Sequence, residues 1–256
     1  MNPWDMYQSR MKSTGTTKRD TLLRRERRYL SEKLPEVLSN FTVNIDGKSQ
    51  NIEVVNTDDM YEKAIYSMPG EDIAPGSLVE WMDNYWLVVE KDLATEVYTR
   101  AKMIRCNYLL RWVDNDGVIR EQWCIVEDGT KYLTGQYEDR DFFVTRGDSR
   151  ICMTIARNKH TIKMKRGCRF LIDDVESETM TAYEITKPFK IGDILDGHGV
   201  FRFILQEVNT TADDNQELRV ADYYKQFPRE DTWKTAPDMS IDPDNNRTDD
   251  GRKVWI

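Results

Sequence analysis

The residues able to move protons, attack carbonyls or hold metals are few: two histidines and four cysteines, set among 45 carboxylates in 256 residues. His160 and His198 both fall in predicted turns, and neither stands beside a serine or cysteine in a nucleophile setting. A hydrolytic triad is not expected. Cys106, Cys124, Cys152 and Cys168 are widely separated and form no C-x-x-C unit. They are expected as reduced, partly buried thiols, not as a zinc ribbon or redox pair. Carboxylate pairs arise by chance in so acidic a chain, and none carries a surrounding motif of a glycosidase or metal site. "DPDNNRTDDGRK", from Asp242, imitates a calcium loop with Asp242, Asp244 and Asn246, but Arg247 replaces the turn glycine and Lys253 the bidentate glutamate. The "GHG" at 197–199 reads as a turn, and Arg146-Gly147-Asp148 as an interdomain turn. No catalytic residue, metal site or cofactor is expected, and the chain is not read as an enzyme.

Charge and aromatic placement remain. The net charge of -8 argues against a protein that coats nucleic acid with its whole surface, because phosphate binding needs a concentrated positive field. Residues 1–36 reverse that sign locally, with Arg19, Arg24, Arg25, Arg27 and Arg28 in "TLLRRERRYLSEKL" and its approach. This segment is predicted as a helix capped by Thr17 or Asp20 and stopped by Pro35. Its apolar stripe of Leu22, Leu23, Tyr29, Leu30 and Leu34 is too narrow to form a core alone and is expected to dock on a neighbour. The five arginines are candidate contacts to a partner or to DNA. A solvated helix, balanced by Glu26 and Glu32, is the plainer reading. After Val208 the sequence turns acidic and Asp/Asn-rich, and residues 209–256 are expected as an extended arm. Tyr223, Tyr224, Phe227, Trp233 and Trp255 are its candidate anchors on another subunit. A head-to-tail contact between copies would close a ring.

The elements positioning these groups are mostly strands. Asp-Gly recurs at 46–47, 116–117, 128–129 and 196–197 between β-rich runs, which predicts an antiparallel meander with tight turns. Strands are predicted near 76–81, 85–91, 100–113, 118–127 and 131–134, with a short helix at "DDMYEKAIYSM". Alternation places Trp81, Trp86, Trp112 and Trp123 in hairpin cores rather than on a binding face. The polar stretch at 137–148 marks a boundary between a β-barrel-like module (37–140) and a second, sandwich-like β module (141–208). The latter is built from "ICMTIA", "TIKMKRGCRFLID", "TAYEITKPFK" and "VFRFILQEV". The fold class is therefore mainly β, with an N-terminal helix and a C-terminal arm. No signal peptide or membrane span is predicted, so the expected origin is the cytoplasm, and the sequons at Asn40, Asn209 and Asn246 are idle.

"GSLVEWMDNYWLVVEKD", "RCNYLLRWVDNDGVI", "KYLTG", "GDSRICMTIARNKHTIKMKRGCRFLIDD" and "TAYEITKP" together resemble head-closure, stopper or neck proteins. Those are encoded in the head-to-tail region of tailed bacteriophages and prophages of Gram-positive bacteria. The resemblance covers roughly residues 70–205. It implies a hexamer or dodecamer ring in the virion neck, made in the host cytoplasm and joined to portal or adaptor proteins and to tail-terminator or tail proteins. Double-stranded DNA would pass through the lumen without sequence-specific binding, and no membrane would be involved. A β-barrel nucleic-acid-binding module and a carbohydrate-binding or hydrolytic tail component are the alternatives.

Overall fold

Among the described residues two helices, Pro3–Ser13 (α1) and Lys18–Lys33 (α2), precede thirteen strands. The computed structural model describes residues 2–13, 17–128, 149–174, 176–191 and 194–228. Six strands close a barrel: Asn40–Ile45 (β1), Lys48–Asn56 (β2), Glu62–Ser67 (β3), Leu78–Trp81 (β4), Asn84–Asp92 (β5) and Arg100–Arg105 (β6). Their order around the wall is β1-β2-β3-β6-β5-β4, and β4 pairs back onto β1. Asp46 and Gly47 both take positive φ, the two-residue turn expected of Asp-Gly. Met82 and Asp83 do the same without a glycine, which fixes the β4-β5 register as Trp81 opposite Asn84. Val43, Ile45, Ile52, Ile65, Val79, Val88 and Met103 fill the interior with Trp86.

The second sheet contains Tyr108–Val113 (β7), Ile119–Asp128 (β8), Arg150–Ala156 (β9), Arg169–Leu171 (β10), Ala182–Phe189 (β11), Ile194–Leu195 (β12) and His198–Val208 (β13). Its order is β10-β11-β13-β9-β8-β7, with β12 paired on β13. The sheet curls until its edges approach, and the Tyr108 hydroxyl donates to Leu171 O at 3.0 Å. Leu110, Trp112, Cys124, Met153, Ile155, Phe170, Ile185 and Phe203 occupy the space it encloses. The mainly β class and the barrel-like first module are therefore seen directly, and the second module, expected as sandwich-like, is a single curled antiparallel sheet.

Several expectations are corrected. The helix at "DDMYEKAIYSM" is absent; Glu62–Ser67 is β3, the strand that bridges β2 and β6. The residues ahead of it make a turn instead, with the Asp59 carboxylate accepting from Tyr61 N and the Thr57 hydroxyl donating to Glu62 O. Residues 100–113 are not one strand. At Cys106 and Asn107 the chain leaves the barrel: Cys106 N still bonds Tyr85 O, while the Asn107 side chain bonds both N and O of Val126. The boundary thus lies at 106–107, not near 137–148, and the β7-β8 hairpin belongs to the second sheet. "TIKMKRGCRFLID" gives a 3-10 turn, Thr161–Lys163, and only a short β10, because Asn158 Oδ1 gathers the amides of His160 and Thr161. The strand expected at 131–134 lies outside the described residues. Residues 209–228 are folded against the second sheet rather than extended, through a bridge between Asn215 and Val220 and a helical turn at Tyr223–Gln226.

The two units meet along β5. "WLVV" is buried without interruption because alternate residues face different cores: Trp86 and Val88 point into the barrel, Leu87 and Val89 towards the second sheet. A bulge after Val88 sets this register. Leu87 and Val89 pack with Cys106, Ile125, Ala156 and Val200, and Tyr85 stacks on Trp123 at 4.7 Å. Backbone touches backbone at Gly76, where φ is +82 and an added Cβ would overlap the Gly199 carbonyl.

Candidate functional site

α2 begins with a capping box: the Thr17 hydroxyl accepts from Asp20 N and the Asp20 carboxylate accepts from Thr17 N. Both sequence candidates for the cap thus serve it. α2 buries none of its residues, and it is held to the barrel by the loop after β5. There Arg19 pairs with the Glu96 carboxylate and the Arg27 guanidinium donates to Glu96 O. Helical periodicity puts Arg19, Leu23, Arg27, Leu30 and Leu34 on that side, whereas Arg24, Arg25 and Arg28 face outwards; Arg28 also pairs with Glu32. The five candidate arginines therefore divide into two tethers and three outward cations. Trp4, Met6 and Tyr7 of α1 and Leu22 and Tyr29 of α2 are exposed.

The four hairpin tryptophans pack inwards. Trp81 packs against Phe41 and Trp86 at one end of the barrel. Trp112 lies in the second core, and Trp123 in the junction, so neither is simply the core of its own hairpin. Tyr223 is buried and stacks on Phe227 at 4.8 Å, with Tyr224 edge-on to it. Tyr223 thus anchors its own chain; Trp233 and Trp255 lie outside the described residues.

Two buried polar clusters went unread in the sequence. In the first, His160 Nδ1 lies 2.5 Å from Asp114 Oδ2, with Arg120 and Lys163 beside the same carboxylate. His160 is 5% and Asp114 3% exposed, so no substrate reaches the pair. Burial pushes the His160 pKa below its ordinary value, although Asp114 opposes the shift. Asp114 is held low despite its burial, chiefly by the His160 hydrogen bond. The cluster binds the loop after β9 to the β7-β8 turn. In the second, Arg169 bonds Asp214 through both terminal nitrogens (2.9 and 3.0 Å), Asp222 (2.7 Å) and Asn209 O. This clamp, joining residues far apart in sequence, is what fastens 209–228 to β10.

Cys106, Cys124, Cys152 and Cys168 are free thiols. Burial pushes Cys152 up to about 11 and raises Cys106 and Cys124 as well, which keeps these three protonated and unreactive. Among the described residues no group of three or more His, Cys, Asp or Glu could hold a metal, and no helix is long and apolar enough to cross a membrane.

A cleft of about 520 Å³ opens on the barrel wall, lined by the β2-β3 loop, β3, the end of β5 and the start of β6. Within it Lys102 pairs with Glu62, Lys91 with Asp72, and Arg100 lies over the Tyr66 ring. A second surface was legible but missed: "RNKHTIKMKRGCR", residues 157–169, holds six Lys or Arg and no carboxylate. Reading it as a strand hid the charge run. With the geometry assembled, comparison gives no assignment: no protein-family model, curated protein or solved structure matches the chain.

Proposed function

We propose that the protein is a structural subunit of a ring in the neck of a tailed phage virion, working by assembly rather than catalysis. The observation that carries this reading is the N-terminal extension. A capped sixteen-residue helix that buries nothing, preceded by a helix with exposed Trp4, Met6 and Tyr7, has a surface suited to burial against another chain. The resemblance of residues 70–205 to head-closure, stopper and neck proteins supplies the setting. In that setting neighbouring copies and portal, adaptor or tail proteins cover the helices, and DNA passes through the lumen.

Negative-stain imaging and sedimentation velocity test this reading. Closed rings of one symmetry are expected from the intact chain, and their loss when residues 1–33 are removed. A monomer at every concentration, also in virion extract, overturns it. The outward face of Arg24, Arg25 and Arg28 favours one second reading, a nucleic-acid-binding module. Three phosphate contacts on duplex DNA would give a log K against log salt slope of about −2.7 for the isolated chain.

A further inference from the structure

The cationic run at 157–169 does not act alone. β11 ends in Lys187, Pro188 and Phe189, Lys190 follows it, and folding brings this end beside the run. Lys190 Nζ donates to Ile162 O, Gly167 N to Ile185 O, and the Arg157 guanidinium to Gly197 O. Lys165, Arg166 and Lys187 are exposed and form no ion pair among the described residues. Apolar side chains share this face: Ile162, Phe189 and Ile194 are exposed, and Ile191 is 80% exposed. The result is a cationic, apolar projection on an acidic protein.

The barrel-wall cleft has the opposite character. Its own cations are engaged by Glu62, Asp72 and the Tyr66 ring, whereas Asp58, Asp59, Glu90 and Asp92 form no ion pair among the described residues. Its surroundings are also apolar: Met60 is 83% exposed on the β2-β3 loop, and Tyr61 and Leu93 are exposed near it. A projection with unpaired cations and exposed isoleucines matches a recess with unpaired carboxylates and an exposed apolar rim. Ile162, Ile191 and Ile194 are aliphatic and give nucleic-acid bases no stacking platform, and Phe189 is the single exposed aromatic beside them, which favours a protein partner over a strand of nucleic acid.

We propose that the projection formed by the ends of β11 and β12 and the 157–166 loop seats in the barrel-wall cleft of a second copy. The proposal rests on the oligomeric reading above and names its contact. Projection and cleft are different surfaces, so the contact is heterologous, and repetition closes a ring when the rotation permits. Opposed charge fixes orientation and register, while the isoleucines and Phe189 supply burial.

The test is a charge exchange. One variant carries Lys165→Glu, Arg166→Glu and Lys187→Glu; the other carries Asp58→Lys and Glu90→Lys. All five positions are exposed, and near-UV circular dichroism checks the fold. In sedimentation velocity each variant alone is expected to weaken self-association by about 100-fold or more, because like charges then face each other. An equimolar mixture is expected to restore the wild-type particle, since each reversed surface finds its complement. Variants that keep the wild-type particle, or a mixture that stays dissociated, overturn the contact and leave the oligomeric reading standing. A monomeric wild type overturns both. Loss of duplex-DNA binding specifically in the first variant would assign the projection to phosphate and overturn the contact.

Discussion

Arg169 makes the strongest single-residue case. Its partner Asp214 has no side-chain exposure, so Arg169→Leu would leave a buried carboxylate uncompensated. A loss of about 3–5 kcal/mol is expected in urea denaturation, with early proteolysis within 209–228. His160 gives a pH signature. Its pKa is depressed on folding from the usual value near 6.5, so between that value and the depressed one the unfolded chain binds a proton the folded chain refuses. Its contribution is complete above about 6.5 and is lost as pH falls towards the folded value. The urea midpoint should therefore fall between pH 7.5 and 5, and His160→Gln should flatten that slope. Asp114, depressed from 3.8, adds its own loss only in stronger acid, below that value. Neither cluster was legible in sequence, because His160 meets Asp114 across 46 residues and Arg169 meets Asp214 across 45.

At the scale of elements, the legible features were local. Asp46-Gly47 and Asp196-Gly197 gave turns with positive φ at both residues, and Thr17 with Asp20 gave the α2 cap. What failed was decided by distant partners. Glu62–Ser67 carries a helix-compatible pattern, yet its pairing with both β2 and β6 completes the barrel wall, so tertiary pairing overrides propensity. Residues 100–113 read as one apolar run because two cores receive its two halves. Gly76 is the test of that junction. Gly76→Ala forces a side chain into a positive-φ turn and against the Gly199 carbonyl, and should cost about 2–4 kcal/mol. Fluorescence from Trp123, which stacks on Tyr85 across the junction, should shift in the same variant. Thr17→Ala touches only the cap. It should lower far-UV helicity by an amount reflecting about 1 kcal/mol in the helix, with the thermal midpoint of the β body unchanged.

For the whole molecule, the sequence reading of a β body preceded by a basic helix matches the arrangement, and the placement of charge does not. The basic helix gives two of its five candidate arginines to its own barrel, and the acidic segment begins as a folded part of the second sheet. Lys165 and Arg166, which form no ion pair among the described residues, sit on a loop that reads as a strand until Asn158 and Thr161 are seen to turn it, with Lys187 on the neighbouring β11. The barrel, finally, occupies one uninterrupted stretch, Asn40–Ile45 through Arg100–Arg105. During synthesis it can close on the ribosome while the later strands have yet to emerge. Until β8, β9 and β13 arrive, Leu87 and Val89 lie bare on its outer wall. That interval exposes them to chaperones and to barrels from neighbouring nascent chains, and slowed elongation after Arg105 is expected to lower the yield of folded protein on expression.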